Sequence, residues 1–473
     1  MKNILKLILL LLFVTTVTTS CSKNDDLAVP SELQVNDFVW KGLNQFYLWQ
    51  PDAPNLLDNR FNNQSDLNNY LKTFNDPINL FNTLRIDPNI DRFSYIFSDY
   101  NTLEGLLSGT TKNNGVDYGL KYKTGSTTDI FGWVKYIIPN SDASTKNIQR
   151  GKIFYAINGT QLTASNYKSL LANDTYVMNF ADFDNGNITP NGQSISLTKT
   201  TLSENPVLVN TVINQGAKKI GYLVYNGFYP NFESQMNDAF ASLKAQNVTH
   251  LILDLRYNSG GSIATASRLA SMITGQFNGQ IFARQQWNPK MQVYWNNNNP
   301  SQFDTRFTTT LGNGVGLNSL NLTKVIVLTS KGTASASELV INGLKPYLQV
   351  VQIGDVTVGK NVGSITLYDS PNFGSSGRNP NHKYAMQPIV LKTVNASGFG
   401  DYQTGLVPTT LQVEDIGNLG ILGDSSEPLL QTALNYIQVN GKMQPHQPDH
   451  LFEQFKDAKD LLPIQNEMYL ELK

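Results

Sequence analysis

Cysteine and histidine are scarce in this sequence of 473 residues. The only cysteine is Cys21, and the four histidines are His250, His382, His446 and His450. A single cysteine excludes an intrachain disulfide, and the scattered histidines lack the HExxH-type spacing of a zinc site. We therefore expect no metal and no cofactor.

The sequence also lacks an excess of charge of either sign. Its formal net charge is −1, from 36 basic and 37 acidic residues. Nucleic-acid binding proteins usually carry a basic patch or a strongly positive domain. The composition therefore gives no electrostatic reason to expect a nucleic-acid partner.

Long hydrophobic runs are missing as well. The apolar run at residues 7–14 follows Lys2 and Lys6, and small residues precede Cys21. This run is too short for a transmembrane helix and predicts a secretory signal. The position of Cys21 resembles a bacterial lipobox, although Thr18 replaces the usual leucine. We expect a lipid anchor on Cys21 and a location in the cell envelope, at the outer membrane or the periplasmic face; ordinary cleavage and secretion remain open.

What the sequence does contain is a serine at a strand-to-helix turn. An apolar run at 325–328 predicts a buried strand, and residues 334–344 have the apolar spacing of a helix packed on a sheet. Ser335 would lie where that helix starts, near free backbone N–H groups that can stabilise an oxyanion. A nucleophile fits this position, and so does a simple N-cap formed by Ser335 or Ser337.

A lysine follows the next predicted strand. After the apolar residues 350–353, a glycine-flanked loop carries Lys360, with no acidic residue between Asp355 and Asp369. A lysine can act as a base only when it is neutral, and an apolar pocket lowers its pKa toward that state. A solvated loop lysine is the alternative.

The segments GTASASEL and VGK, with Ser335 and Lys360 25 residues apart, resemble the C-terminal processing (tail-specific) serine peptidases of family S41. That resemblance implies a Ser-Lys dyad with Ser335 as nucleophile and Lys360 as general base. It also implies an oxyanion hole from the amides of Ala336 and of Gly260 or Gly261, since LDLRYNSGG resembles the LDLRxNxGG element of the family. An α/β catalytic core of the ClpP/crotonase type is implied as well.

One position departs from the family pattern. Many members have a glutamine four residues after the lysine that orients it, and here that position is Ser364. A serine hydroxyl can accept a hydrogen bond from the lysine, so we place Ser364 among the candidate catalytic residues. A lipid-anchored peptide-binding protein that has lost turnover remains the alternative function.

The remaining sequence predicts a multi-domain α/β protein. Residues 117–199 read as short strands and resemble a PDZ domain, which implies that Tyr118, Gly119 and Leu120 bind a peptide or protein substrate through its C-terminus. A β domain that only spaces its neighbours is the alternative. The expected divisions are a signal at 1–21, a tether at 22–30, a helical domain at 31–107, a PDZ-like domain at 108–203, a catalytic domain at 204–440 and a peripheral extension at 441–473.

Overall fold

The computed structural model describes residues 29–439, 441 and 452–471. The expected signal, Cys21 and most of the expected tether lie outside these residues. None of the helices that the structure describes is long and apolar enough to cross a membrane.

The N-terminal part is helical, as predicted. Its elements are α1 (Gln34–Phe46), α2 (Gln64–Leu71), α3 (Pro77–Leu84), β1 (Tyr95–Phe97) and α4 (Tyr100–Leu107). Asp76 and Asp99 cap α3 and α4 by accepting a backbone N–H in the first turn. Leu43 and Phe81 share an apolar cluster with Met386 of the expected catalytic domain at 204–440, which is called the catalytic region below. The helical part therefore shares its core with the catalytic region.

A β-rich domain follows. Its elements are β2 (Thr110–Asn113), β3 (Val116–Tyr122), β4 (Ile130–Ile137), β5 (Ile153–Ile157), β6 (Thr160–Gln161), α5 (Tyr167–Ala172), β7 (Thr175–Asp184), β8 (Asn187–Thr198) and β9 (Thr200–Ser203). Strands β3, β4, β5, β7 and β8 are antiparallel neighbours in one sheet. Strands β2 and β9 pair with each other, which brings the two ends of the domain together.

The catalytic region alternates strands and helices. Its elements are β10 (Val207–Gln215), β11 (Lys218–Tyr225), α6 (Glu233–Ala245), β12 (His250–Asp254), β13 (Gly261–Ser262), α7 (Ile263–Thr274), β14 (Ile281–Trp287), α8 (Pro289–Asn298), β15 (Asp304–Arg306), β16 (Lys324–Thr329), α9 (Ala336–Leu344), β17 (Gln349–Gly354), β18 (Val362–Ser364), β19 (Leu367–Tyr368), β20 (Ala385–Gln387), β21 (Ile389–Asn395), β22 (Thr410–Leu411) and α10 (Pro428–Val439). The predicted strands and helices of this region are confirmed, with ends that differ by one or two residues.

The central sheet of this region has the order β10-β11-β12-β16-β17-β22. All neighbours are parallel except β10, which lies antiparallel at the edge. Helices α6, α7 and α9 pack on one face and α10 packs on the other. Buried on both faces, the strands are almost continuously apolar, as parallel strands usually are.

The predicted peripheral position of the C-terminal extension is wrong. Strand β23 (Gln454–Asp457) pairs with β3, and strand β24 (Met468–Tyr469) lies between β13 and β18 in a second sheet. Met468 is fully buried. A polar composition suggested a solvated segment, but the backbone groups of this one pair with two domains.

Candidate active site

Three loops meet at one edge of the central sheet. They follow the carboxyl ends of β12, β16 and β17, which are neighbours in the sheet. Because the strands are parallel, these ends lie on the same edge, where open α/β sheets place their ligands. The glycine turn, Ser335 and Lys360 are brought together in this way.

Ser335 is the last residue before α9, and its backbone is strained. Its φ is +64°, in the left-handed region that residues other than glycine seldom adopt. The residue is fully buried, and its Oγ makes no hydrogen bond with any described residue. Ser335 and Glu338 have the arrangement of a capping box, but the Ser335 hydroxyl itself is left without a hydrogen bond, as a nucleophile would be.

Lys360 lies in the loop between β17 and β18 and is fully buried. Its Nζ has no hydrogen-bond partner among the described residues and lies 4.6 Å from the centre of the Phe93 ring. Burial lowers the pKa of Lys360, against the opposing effect of the Glu467 and Asp91 carboxylates. The predicted apolar setting is therefore present, and part of it comes from the N-terminal helical part.

The Glu338 carboxylate fixes the backbone of Ser335 relative to the backbone of Lys360. Its Oε2 accepts the backbone N–H of Ser335 at 2.7 Å and that of Lys360 at 2.9 Å. Its Oε1 accepts the N–H of Gly359 at 2.7 Å and the hydroxyl of Thr357. One buried side chain thus binds the backbones of both loops.

The glycine turn lies against Ser335. Gly260 and Gly261 have φ values of +115° and +137°, which only glycine adopts without strain. A Cβ added at Gly260 would collide with the carbonyl oxygen of Glu467 and lie 2.8 Å from the Cβ of Ser335. The Gly260 N–H donates to Asn258 Oδ1 at 2.9 Å, and the Gly261 N–H donates to the Glu467 carbonyl at 2.5 Å.

Arg256 fixes the strand that leads into this turn. It is fully buried and pairs with Asp254 at 2.8 Å, Glu427 at 2.6 Å and Glu414 at 3.1 Å. Arg150 of the β-rich domain also pairs with Glu414, at 2.8 Å. The arginine of the LDLR element is therefore structural, and its network reaches the neighbouring domain.

Ser364 does not contact the lysine through a hydrogen bond. Its hydroxyl accepts from Gln387 Nε2 at 3.0 Å and donates to the carbonyl of Met468 at 3.2 Å. The predicted hydrogen bond from Lys360 to Ser364 is absent from this structure.

The residues predicted to bind a peptide lie on β3, far along the chain from Ser335 and Lys360. Tyr118 and Leu120 are buried, and Gly119 packs against the ring of Trp133. The edge of β3 that faces away from β4 pairs with β23 of the same chain, and Leu120 lies opposite Lys456. An extended segment does lie where a peptide was predicted.

Glu338, Phe93 and Glu467 were missed from the sequence. Glu338 stands three residues after Ser335, a spacing typical of a helix capping residue, and this signal was available. Phe93 and Glu467 lie hundreds of residues from the loops that they contact, and no sequence pattern indicates those contacts. Among the described residues there is no cluster of His, Cys, Asp or Glu able to hold a metal ion.

Two parts of the chain match models of known protein families. Residues 219–377 match the model of peptidase family S41, and residues 34–95 match the peptidase S41 N-terminal domain. Both matched parts of the chain thus point to the same family, peptidase family S41. The S41 match contains both glycines of the turn, Ser335, Glu338 and Lys360, and the second match contains Phe93.

Individual relatives are distant. A chloroplastic C-terminal processing peptidase from Tetradesmus obliquus is 24% identical over 56% of this chain and 55% of its own length. Carboxyl-terminal-processing peptidase 2 from Arabidopsis thaliana is 29% identical over 36% of this chain and 30% of its own length. The crystal structure of an S41 protease from Bacteroides fragilis is 26% identical, with a TM-score of 0.67 over 86% of this chain and 98% of that one. This chain therefore spans about half the length of the algal relative and less than a third of the length of the plant relative. It shares its fold with nearly all of the bacterial structure.

The position of Glu338 generates a first prediction. Glu338→Gln replaces one of two acceptor oxygens with an amide donor, so at least one of the N–H groups of Ser335, Gly359 and Lys360 loses its acceptor. We expect a loss of about 3 kcal/mol in the free energy of unfolding, measured in urea, because a buried hydrogen bond to a charged group is broken.

The exposed Glu32 provides the control, since Glu32→Gln should change stability by less than about 0.5 kcal/mol. Hydrogen exchange should also accelerate at Gly359 and Lys360 in the Glu338 variant. Equal stability of the two variants would show that Glu338 does not hold these loops.

Proposed function

We propose that this protein is a serine endopeptidase of the C-terminal processing type, working through a Ser335–Lys360 dyad. The observation that carries the proposal is the hydrogen bonding of Glu338 Oε2, which binds the backbone N–H groups of both residues. Ser335 Oγ and Lys360 Nζ are both buried, and neither atom has a hydrogen-bond partner among the described residues. A structural serine and a structural lysine would satisfy these polar atoms.

In the acylation step, neutral Lys360 Nζ takes the proton of Ser335 as Oγ attacks the peptide carbonyl carbon. The carbonyl oxygen becomes an oxyanion that accepts hydrogen bonds from the amides of Ala336 and of Gly260 or Gly261. One such donor contributes a factor of about 10²–10³ to kcat. The Lys360 ammonium then gives its proton to the leaving amine, and an acyl-serine ester remains.

Deacylation repeats this sequence with water. Lys360 takes a proton from the water as its oxygen attacks the ester carbonyl, and Ser335 leaves with that proton. The product is a peptide with a new carboxyl terminus. No metal or cofactor enters either step.

We infer the substrate class from the named relatives and from the edge of β3, which is called the peptide groove below. The algal and plant relatives are named as C-terminal processing peptidases, and β3 offers backbone groups to which an extended peptide adds as a strand. We propose that C-terminal regions of proteins or peptides bind along Tyr118, Gly119 and Leu120 and then reach Ser335.

Ser335→Ala should abolish peptide hydrolysis and leave the far-UV circular dichroism spectrum unchanged, because the hydroxyl makes no hydrogen bond that the fold needs. The change is measured with a fluorogenic peptide and by labelling with a fluorophosphonate. Ser319→Ala, at a partly exposed serine, should retain wild-type rates. Turnover that survives in pure Ser335→Ala would contradict the dyad.

The lysine sets the pH dependence. Burial lowers the pKa of Lys360, so the neutral amine gains population as pH rises, and kcat/KM should increase from neutral toward mildly alkaline pH. Lys360→Arg should be inactive throughout, because a guanidinium stays protonated.

Lys345→Arg is the matched control at an exposed lysine just after α9, and it should keep both rate and pH profile. A Lys360→Arg enzyme with wild-type activity would mean that another group is the base.

We further propose that Cys21 carries a lipid anchor, from the signal-like residues before it. A single acyl chain binds membranes only marginally, so stable attachment needs more than one chain. Cys21→Ser should therefore move the protein from the membrane fraction to the aqueous fraction in a detergent partition. An unchanged distribution would assign the attachment to something other than Cys21.

A further inference from the structure

The C-terminal segment formed by residues 454–470, called the tail below, lies along the predicted peptide groove in two parts. The first part is β23, which adds to the free edge of β3 in antiparallel register. Gln454 lies opposite Lys121 and Asp457 lies opposite Gly119. Phe455 packs against the rings of Tyr122 and Tyr167. The tail thus uses the strand-addition mode expected of a substrate peptide.

The second part reaches the dyad. Met468 and Tyr469 pair in parallel with Gly261 and Ser262, and the Leu470 N–H donates to the Ser364 carbonyl at 2.9 Å. The carbonyl oxygen of Glu467, one residue earlier, accepts the Gly261 N–H. An amide proposed for the oxyanion hole is therefore already bonded to the tail.

The tail also divides the open space of the groove. A cavity of about 680 Å³ lies between the β-rich domain and the catalytic region, and one of about 130 Å³ reaches Gly260 and Gly261. Gln465 and Asn466 line both cavities. The tail therefore forms part of the wall of both cavities, between β3 and the glycine turn.

The Glu467 side chain lies in the electrostatic field of Lys360. Both of its carboxylate oxygens are buried with no hydrogen-bond partner among the described residues. Burial raises the pKa of Glu467 to about 7, and the Lys360 charge opposes this rise. When ionised, this carboxylate favours the ammonium form of Lys360, which cannot act as a base.

We infer that the tail is a tethered inhibitor that occupies the peptide groove and blocks the dyad until it is displaced. The inference rests on the proposed peptidase function for the identity of the groove. Displacement frees the edge of β3, the Gly261 amide and the space beside Lys360 together.

Two features make the tail an inhibitor rather than a bound substrate. Asn466 has a φ of +56°, which breaks the extended conformation directly before Glu467. An extended substrate would continue its strand pairing on that side, whereas the pairing with β13 covers only Met468 and Tyr469. The Glu467 carboxylate opposes formation of the neutral lysine that cleavage requires.

The first test undocks the tail in the full chain. Ile464 is buried against Phe97 and Leu103, so Ile464→Asp should release the segment that leads to Glu467. We expect kcat/KM for a fluorogenic peptide to rise by about tenfold or more, because a tethered segment competes at an effective concentration on the order of 1 mM. Val407→Asp makes the same change at an exposed apolar residue and should leave the rate unchanged.

The second test locks the tail without weakening the fold. Lys121→Cys with Gln454→Cys joins cross-strand partners, whose Cα separation of about 4.5–5.5 Å suits a disulfide. Cys21→Ser removes the only competing thiol. The oxidised lock should hydrolyse peptide at least about tenfold more slowly than the reduced form, and each single-cysteine variant should not respond to reductant.

A binding readout separates this inference from the peptidase assignment. A fluorescent peptide with the sequence of residues 454–470 should bind the double variant Ile464→Asp, Ser335→Ala at least about tenfold more tightly than it binds Ser335→Ala, which retains its docked tail. Equal binding overturns the inference. Tighter binding supports it even if no variant hydrolyses peptides, an outcome that would reject only the peptidase function.

Two further results count against the tail as inhibitor. One is Ser335-dependent hydrolysis that neither undocking nor locking changes, which leaves the peptidase assignment intact. The other is an intact-mass measurement in which the purified wild-type chain ends at Glu467, whereas the Ser335→Ala chain keeps its full length. That result would make the tail a substrate.

Discussion

The site depends on one buried carboxylate. Glu338 lies in the first turn of α9 and accepts hydrogen bonds from Ser335, Gly359, Lys360 and Thr357. Burial raises the pKa of this carboxyl, and these hydrogen bonds oppose the rise. Because the two loops that it joins follow different strands, this side chain, rather than either loop alone, sets the position of Ser335 relative to Lys360.

Other parts of the chain contribute groups to the site that the loops at the sheet edge do not provide. The N-terminal helical part places Phe93 over Lys360, and Arg92 donates to the carbonyl of Gly359 at 3.3 Å. The glycine turn supplies amides, and Arg256 holds the strand before it. An amine in water has little tendency to lose its proton at neutral pH, so the proposed role of Lys360 as a base requires an apolar cover. The helical part is therefore a component of the site.

The tail contacts both the proposed peptide-binding edge of β3 and the residues around Ser335 and Lys360. It bonds to β3 at one end and to Gly261 and Ser364 at the other, so a single segment covers the groove and the dyad. Ser364, which replaces the glutamine expected from the family, bonds to this tail and to Gln387. The departure from the family pattern thus coincides with a contact that the tail makes.

The sequence by itself determined the elements of the core and the candidate dyad. Short apolar runs at 325–328 and 350–353, with a helical pattern between them, specify strands and a helix because burial on both faces demands continuous apolar residues. Ser335, Lys360 and the glycine pair could be found because each stands at a fixed distance from such an element. Only the tertiary structure decided the contacts of Phe93, Ser364 and Glu467, since these join residues far apart in the chain and leave no local periodicity. The same reason explains the tail: its composition is that of a solvated extension, and its burial comes from backbone pairing with strands whose positions the local sequence does not encode.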